Sequence, residues 1–280
     1  PIPINLDVSQ EKADELKAGD RLALNDQEGF LLAVLTVTDI WQPDKKQEAL
    51  AVYGTDDEDM HPGVYHLYHQ TGAWYIGGTL EGVSYPIHYD FQHLRLSPSE
   101  TVRRFTMNGW RRVVGFHTEE YLHCAHREML LFAAREAGAA IFLQPVVGLD
   151  HPGNIDHYTQ VRCYQEFVKK LPNNMIQFGL TPFASRFAGP KEALLQAMMR
   201  KNFGCSHFVV AEDHADPFKG NTDHQLFYPK GAAQKLVAEK ATQAGADDQK
   251  KEFYKNALLE YIRGFSQYPD EDAAPEALFK

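Results

Sequence analysis

The most constraining feature of this sequence is an alternation of short apolar runs and longer amphipathic segments that begins at residue 113. The apolar runs are VVGFH, AAIFLQPVVG, MIQFGLTP and SHFVVAED, at residues 113–117, 139–148, 175–182 and 206–213. Segments with helical periodicity separate them, at residues 121–138, 155–170 and 189–204. This alternation predicts right-handed βαβ units and a parallel sheet covered by helices on both faces.

Polar residues gather where the predicted strands end. Histidines and carboxylates are concentrated in residues 117–120, 149–157 and 212–216. In a parallel sheet the carboxyl ends of the strands meet at one edge, and ligands bind at that edge. The coincidence therefore predicts a functional site there.

The first part of the chain has a different character. The apolar and β-branched run at 29–41 predicts a strand, and an aromatic-rich segment at 66–78 is interrupted by glycines. We find neither a phosphate loop nor a nucleophile motif in this part of the sequence. We therefore expect a small β-barrel or sandwich that packs against a partner domain.

A helix start marks the predicted boundary between the two parts. Ser97 and Glu100 have the spacing of a capping box, and Pro98 takes the first helical position. The pattern predicts a helix that ends near Trp110. We predict three regions: a β-rich domain over 1–105, an α/β domain over 106–235 and a helical C-terminal tail over 236–280.

Composition narrows the classes of function. The 280 residues carry a formal net charge of −10, which argues against general nucleic-acid binding because phosphate backbones need basic surface. No apolar run approaches the roughly 18 residues that span a bilayer, and the first residues lack a signal-peptide pattern. Three widely spaced cysteines without CxxC spacing favour a reduced protein. We expect a cytoplasmic protein with a small-molecule substrate and no membrane partner. The sequence leaves open whether the protein forms a homo-oligomer.

The sharpest local motif is His123-x-x-His126, directly after the first predicted strand of the α/β region. At i and i+3 the two imidazoles share one face of a helix at its N-terminus. Helix N-termini attract anions through their free N–H groups and the helix dipole. The motif is thus suited to hold phosphate, although HxxH alone occurs often by chance.

Seven segments together resemble the ATP sulfurylase family. F-H-T-E-E-Y-L-H-C-A-H at 116–126 is similar to the family's F-Q-T-R-N-P-x-H-x-A-H. P-V-V-G, I-D-H-Y-T-Q-V-R, A-G-P-K-E-A, R-K-N-F-G-C-S-H-F and V-A-E-D-H-A follow in the family's order, at 145–148, 155–162, 188–193, 200–208 and 210–215. P-I-P-I-N-L-D-V at 1–8 resembles the start of the family's PUA-like domain. The resemblance covers about residues 1–240.

The resemblance implies an α/β fold: a parallel-sheet nucleotidyltransferase domain of the HUP-type, Rossmann-like class, preceded by a PUA-like β-rich domain. The family reaction joins ATP, as its Mg complex, and sulfate into adenylyl sulfate and pyrophosphate. The motifs carry a catalytic role over to His123, His126 and Arg186. They carry nucleotide binding over to Thr118, Gly189, Pro190, Val210, Asp213 and His214.

The acceptor site implied by the resemblance is altered in this sequence. Its residues are His117, Glu119, Glu120, Asp150, His151, Glu212 and Ala215. The motif has Gln, Arg and Asn at 117, 119 and 120, Arg at 212, and Thr-Lys at 150 and 151; Gln144 also replaces a histidine. One charge reversal at 4–5 Å changes an interaction by about 1.5–7 kcal/mol. The reversals at Glu119 and Glu212 therefore predict weak sulfate binding and favour a changed acceptor.

Two other hypotheses stay open. Imidazole and carboxylate are ligands for transition metals, so His117, Glu119, His123, His126, Glu212 and His214 could form a metal site in a repurposed metal-dependent enzyme. The fold could also serve a non-catalytic binding protein. Pyrophosphate release and metal analysis would separate these hypotheses from the adenylyltransferase.

Overall fold

A computed structural model describes residues 2–147, 156–219 and 225–246. The chain divides into two compact units. The first unit comprises the described residues among 1–86, 185–195 and 210–280, and the second comprises those among 87–184 and 196–209. The predicted division at residues 105 and 235 stays a prediction.

The first unit is built on an antiparallel sheet. In chain order its elements are β1 (Leu6–Val8), α1 (Gln10–Glu15), β2 (Arg21–Asn25), β3 (Leu31–Trp41), α2 (Lys45–Tyr53), α3 (Pro62–His69) and β4 (Trp74–Gly82). The strand order is β1-β4-β3-β2, and every pairing is antiparallel. Strand β3 matches the apolar run that predicted it, and its inward residues Leu35 and Val37 lie in the core with Leu6, Val8 and Ile76.

The aromatic-rich segment at 66–78 is divided between a helix and a strand. Helix α3 begins after His61, whose ring accepts a hydrogen bond from the Gly63 N–H, with Pro62 in the first turn. A cap followed by proline is a helix start signal. The β-rich first part of the chain therefore also contains a helix in this segment.

The second unit is an α/β unit with a parallel sheet. Its elements are a 3₁₀ turn (Gln92–Leu94), α4 (Pro98–Met107), β5 (Val113–Thr118), α5 (Cys124–Ala137), β6 (Ala140–Pro145), α6 (His157–Val168), β7 (Ile176–Phe178), the end of α7 (Gly189–Asn202) and β8 (His207–Phe208). The strand order is β7-β6-β5-β8, and every pairing is parallel. The alternation therefore predicted the α/β class correctly.

Strands β5 and β6 pair in continuous register from Val113 opposite Ala140 to Thr118 opposite Pro145. Every residue of both strands is buried, as expected for a parallel sheet covered on its faces. The capping box of α4 is present, with Ser97 and Glu100 bonded reciprocally. Because the two strands end together, their last residues are neighbours at one edge.

Two predicted strands are shorter than expected. The run at 206–213 forms a strand only at His207–Phe208, and the run at 175–182 only at Ile176–Phe178. Apolar runs do not distinguish paired strands from buried turns, which explains the error. Helix α8 (Ala232–Ala246) begins the predicted tail, and the rest of that tail lies outside the described residues. Within the described ranges, no helix is long and apolar enough to cross a bilayer.

Gly115, in the middle of β5, leaves space for a charged side chain. A Cβ at this position would lie 2.9 Å from Cγ of Arg200 and 3.0 Å from Sγ of Cys205. Arg200 is fully buried. The stem of this arginine therefore packs directly against the strand backbone.

We expect Gly115→Ala to lower the free energy of unfolding by about 1–3 kcal/mol, because the added methyl overlaps Arg200 and Cys205. Urea unfolding of the wild type and the variant measures this change. An unchanged or increased stability would contradict the packing described here.

Candidate functional site

One group of predicted site residues lies in the second unit, where β5 ends. His117 and Thr118 are its last residues, and both are buried. His117 pairs in register with Gln144 on β6. His117 and Gln144, which both differ from the residues of the ATP sulfurylase motif, are thus direct neighbours on adjacent strands.

The loop after β5 is fixed through its backbone. Thr118 Oγ1 accepts a hydrogen bond from the Glu120 N–H at 3.0 Å. From α6, the Tyr164 hydroxyl donates to the Glu120 carbonyl at 2.9 Å and the Gln160 amide donates to the Glu119 carbonyl at 3.1 Å. Because these bonds involve the backbone, Glu119 and Glu120 remain exposed.

The HxxH histidines lie together at the N-terminus of α5, as their spacing predicts. His123 is the N-cap and His126 lies in the first turn, with ring centroids 4.1 Å apart. The His123 backbone N–H donates to Nδ1 of His126 at 3.3 Å. A ring nitrogen that accepts carries no proton, so a neutral His126 carries its proton on Nε2. His123 is exposed and His126 is half-buried.

A buried cation lies behind the end of β5. One terminal nitrogen of Arg200, Nη2, bonds to Nδ1 of His117 and donates to the Gln144 carbonyl at 3.3 Å. Burial lowers the pKa of Arg200 to about 10 and raises the pKa of Cys205 to about 12. Among the described residues, Nε and Nη1 of Arg200 and the side-chain amide of Gln144 make no hydrogen bond.

Another group of predicted site residues lies in the first unit, around residues 185–190. The buried carboxylate of Glu192 accepts from Ser185 Oγ at 2.7 Å, from the Arg186 N–H at 2.9 Å and from the Ala188 N–H at 3.1 Å. Arg186 also donates from Nη1 to the Pro3 carbonyl at 3.1 Å. A single carboxylate therefore fixes the segment that contains Arg186.

Backbone strain is present in the same segment and in residues 210–216. Phe187 and Ala215 have φ of 57° and 53°, in the left-handed region that non-glycine residues rarely adopt. The two loops are joined by the Gly189 N–H, which donates to the Ala215 carbonyl at 3.0 Å. A side chain at residue 189, where φ is 48°, would overlap the ring of Tyr228. Such strain clusters at functional sites, where the surrounding structure maintains it.

His61 supports the strained backbone at Phe187. Its Nδ1 accepts from the Gly63 N–H at 3.0 Å, so in the neutral ring Nε2 carries the proton and donates to the Phe187 carbonyl at 3.2 Å. The Tyr228 hydroxyl lies 3.1 Å from the same Nε2. Burial lowers the pKa of His61.

Residues 210–216 are fixed mainly through backbone bonds. The Gln234 amide donates to the Val210 carbonyl, and the Gly231 N–H donates to the Glu212 carbonyl, both at 3.0 Å. His214 is buried, whereas the side chain of Glu212 is exposed. Lys219 Nζ lies 3.8 Å from a carboxylate oxygen of Asp213.

The predicted site residues are thus distributed over two units. The second unit contains His117, Thr118, Glu119, Glu120, His123 and His126, and the first contains Arg186, Gly189, Pro190, Val210, Glu212, Asp213, His214 and Ala215. Asp150 and His151 lie outside the described residues. Within the residues that are described, no three His, Cys, Asp or Glu side chains come together as a metal site. The transition-metal hypothesis therefore gains no support from this part of the chain.

Three side chains that organise these loops were not predicted as site residues. Arg200, Glu192 and His61 are all buried and polar. The sequence signal for each was present: Glu192 lies in A-G-P-K-E-A, Arg200 opens R-K-N-F-G, and His61 precedes a proline. Polar and charged residues are usually exposed or only partly buried, however, so the position of these three in the sequence alone did not indicate burial.

Comparisons with known proteins agree with the sequence motifs. Residues 92–254 match the ATP-sulfurylase family, and residues 1–85 match the PUA-like domain. The chain is 44% identical to the sulfate adenylyltransferase of Kluyveromyces lactis over 274 residues, which are 97% of this chain and 51% of that protein. It is also 44% identical to the sulfate adenylyltransferase of Schizosaccharomyces pombe over 247 residues, 88% of this chain and 50% of that protein.

A solved structure is also similar. A chain of a hexameric APS kinase from Thiobacillus denitrificans superposes with a TM-score of 0.62 at 28% identity, over 87% of this chain and 40% of that chain. The present chain spans about half the length of the two sulfate adenylyltransferases and 40% of the length of the APS kinase chain.

We expect His61 to make stability depend on pH. Because burial lowers its pKa in the folded state, only the unfolded state takes up the proton as pH falls through about 6.5. Stability should therefore decrease below that pH, with a slope of up to about 1.4 kcal/mol per pH unit from one proton. In urea unfolding from pH 7.5 to 5, His61→Gln should show a smaller slope than the wild type.

The exposed His93 provides the matched control. His93→Gln should leave the slope of stability against pH unchanged. Equal slopes in the wild type and His61→Gln would contradict the assignment of this dependence to His61.

Proposed function

Because the chain belongs to the ATP-sulfurylase family, we propose that it is a sulfate adenylyltransferase. In this reaction a sulfate oxygen attacks the α-phosphorus of MgATP, the bond from that phosphorus to the bridging oxygen breaks, and pyrophosphate leaves with the bond electrons. The observation that carries the proposal is the His123–His126 pair at the N-terminus of α5, directly after β5.

Both histidines are suited to hold the leaving pyrophosphate. The N-terminus of α5 presents free N–H groups and the positive end of the helix dipole. His126 adds an Nε2–H donor, because its Nδ1 already accepts from the backbone N–H of His123. Donors fixed before the reaction stabilise the negative charge that develops on the leaving group.

Residues of the first unit take the nucleotide in this proposal. We assign the adenosine to the segment at 188–190 and to Val210, Asp213 and His214, with Thr118 as a further nucleotide contact and Arg186 near the phosphates. The strained loops at 187–189 and 215 support this role, because strain maintained by Glu192 and His61 indicates a preorganised backbone.

Sulfate is the proposed acceptor, and the residues that the family resemblance assigns to it are altered in this sequence: His117, Glu119, Glu120, Asp150, His151, Glu212 and Ala215. The exposed carboxylates of Glu119 and Glu212 oppose an anion, so we expect weak binding of sulfate. The same two carboxylates favour a second candidate, a relative that transfers the adenylyl group to an uncharged or cationic acceptor.

We also propose an assembly state and a cellular location for this protein. The T. denitrificans relative is hexameric, which supports a homo-oligomer for this chain. We also propose a cytoplasmic enzyme, with residues 1–105 as its PUA-like domain, 106–235 as its nucleotidyltransferase domain and 236–280 as a helical tail. Sedimentation velocity tests the oligomer directly.

We expect His123→Ala to lower kcat for sulfate-dependent pyrophosphate release by about 10²–10³-fold, because a donor to the leaving group is lost. His93→Ala removes an exposed histidine of the same unit and should leave kcat nearly unchanged. Coupled pyrophosphate detection with saturating MgATP measures both variants. Similar kcat values for the two variants would remove His123 from the reaction.

We expect the wild type to release pyrophosphate from MgATP in a sulfate-dependent manner. Glu119→Gln should lower the KM for sulfate by about tenfold, because it removes a negative charge at about 5 Å from a dianion. Glu128→Gln, an exposed carboxylate on α5, is the control and should leave this KM unchanged.

Each outcome of this assay decides between the two acceptors. Release that requires sulfate supports the sulfate adenylyltransferase. Release without any response to sulfate, but with response to an uncharged or amine acceptor, would support the second candidate. No release under any condition would overturn the enzymatic proposal.

A further inference from the structure

A buried carboxylate lies at the end of the loop at 210–216 in the first unit. Asp216 is 4% exposed, and its Oδ1 accepts from the Phe218 N–H at 2.9 Å. Its Oδ2 accepts at 2.8 Å from the N–H of Tyr228, which lies 12 positions along the chain. The residue before it, Ala215, has the strained positive φ. The carboxylate therefore joins the end of this strained loop to the backbone of Tyr228.

The ring of Tyr228 lies directly against the backbone of Gly189. A Cβ at residue 189 would lie 2.3, 2.6 and 2.7 Å from three ring carbons of Tyr228, which is closer than a side chain can pack. The Gly189 N–H in turn donates to the Ala215 carbonyl at 3.0 Å. The contacts from Asp216 through Tyr228 and Gly189 thus return to Ala215 and form a closed circuit between the two loops.

The hydroxyl end of Tyr228 is held by His61. Nε2 of the neutral His61 ring carries the proton, because Nδ1 accepts from the Gly63 N–H. The Tyr228 hydroxyl oxygen lies 3.1 Å from this Nε2, and the Phe187 carbonyl oxygen lies 3.2 Å from it. A shared nitrogen therefore holds the hydroxyl beside the Phe187 carbonyl, while the ring of the same tyrosine covers Gly189.

These contacts are suited to maintain the strained backbone of both loops. A left-handed φ at a non-glycine residue, as at Phe187 and Ala215, persists only when the surrounding structure over-determines it. Hydrogen bonds to an ionised acceptor are about twice as strong as those between neutral groups. The carboxylate of Asp216 makes two such bonds, one of which fixes the backbone of Tyr228. The position of the tyrosine ring therefore depends on a charged group in the other loop.

We propose that Asp216 is a positioning residue for the nucleotide: through Tyr228 it holds the loop at 210–216 and the segment at 187–190 in one arrangement before ATP binds. This inference rests on the proposed function, which assigns the adenosine to these two segments. Asp216 itself touches no substrate; it acts through the backbone of Tyr228. Two binding segments that are already ordered cost less to bind a ligand than two segments that the ligand must order.

A turn that serves only stability is the competing interpretation. Aspartate side chains often accept from the backbone N–H two residues on, as Asp216 does from Phe218. Such a local turn does not need the second bond, which reaches Tyr228. The two interpretations also differ in what they predict for ligand affinity. A purely structural turn changes the fraction of folded protein, whereas a positioning residue changes the affinity of the folded protein.

The first test measures ligand affinity in Asp216→Asn, which keeps the size of the side chain but replaces one acceptor oxygen by an NH₂ group that cannot accept. The probe is the Mg complex of adenosine 5′-(α,β-methylene)triphosphate, which cannot release pyrophosphate. By isothermal titration calorimetry we expect its Kd to rise about tenfold. Pyrophosphate, which lacks the adenosine, should bind with an unchanged Kd. An unchanged Kd for the analogue, or an equal rise for pyrophosphate, would overturn the inference.

Asp26→Asn is the matched control. Asp26 lies at the turn between β2 and β3 of the same unit, and its Oδ1 accepts from the Phe30 N–H at 2.7 Å. We expect this variant to bind the analogue with the Kd of the wild type. Urea unfolding of both variants ensures that the Kd values refer to folded protein. A rise in Kd equal to that of Asp216→Asn would show a general effect of loop carboxylates and overturn the inference.

Hydrogen exchange of the wild type decides the question if Asp216→Asn does not fold. We expect the analogue to slow exchange of the Gly189 and Tyr228 amide protons to the same extent, because the two segments are held together. Slower exchange at Gly189 alone would overturn the inference.

These measurements also separate the inference from the proposed function. A wild type that binds neither the analogue nor ATP would overturn the nucleotide site and the inference with it. A wild type that binds the analogue, with an Asp216→Asn variant that binds it equally well, would overturn the inference alone. Weaker binding in Asp216→Asn, without sulfate-dependent turnover in the wild type, would support the positioning role and overturn only the reaction.

Discussion

The arrangement of the α/β unit depends on the contacts of the buried guanidinium of Arg200. Alternate residues of a strand share a face, and Gly115 and His117 are such a pair on β5. The absent side chain of the first allows the arginine stem to cross the strand, and the ring of the second meets its charged end. The parallel register then places Gln144 beside His117, where its carbonyl accepts from the same nitrogen. One charge thus constrains three positions that are distant from Arg200 in sequence.

The first unit depends on a buried group of opposite charge, the carboxylate of Glu192. The carboxylate of Glu192 accepts hydrogen bonds from two backbone N–H groups and a hydroxyl, and His61 donates to the carbonyl of Phe187. Together they maintain a positive φ at Phe187 that would otherwise relax. In the first unit, therefore, buried polar side chains fix the backbone of a loop.

The sequence predicted the α/β class and the location of HxxH because those signals are local. Strands β5 and β6 are continuous apolar runs, and a histidine pair at i and i+3 shares one face of a helix wherever that helix packs. The strand predicted over 206–213 was too long. The Val209 N–H donates to the Gly115 carbonyl of β5, but the residues that follow form the hydrogen-bonded loop at 210–216. Arg200 could not be placed, since its partners lie 83 and 56 residues away. Only the assembled sheet shows that they meet.

The first unit is assembled from segments that are far apart in the chain, and this has a consequence for folding. Arg186 bonds to the Pro3 carbonyl across 183 residues. At elongation rates of about 5–20 residues per second, roughly ten to forty seconds of synthesis separate the two partners. Residues 87–184, by contrast, are contiguous and contain most of the second unit. The four strands of the N-terminal sheet all lie within residues 6–82 and can pair early, but the bond from Arg186 to the Pro3 carbonyl can form only after residues 87–184 have been made.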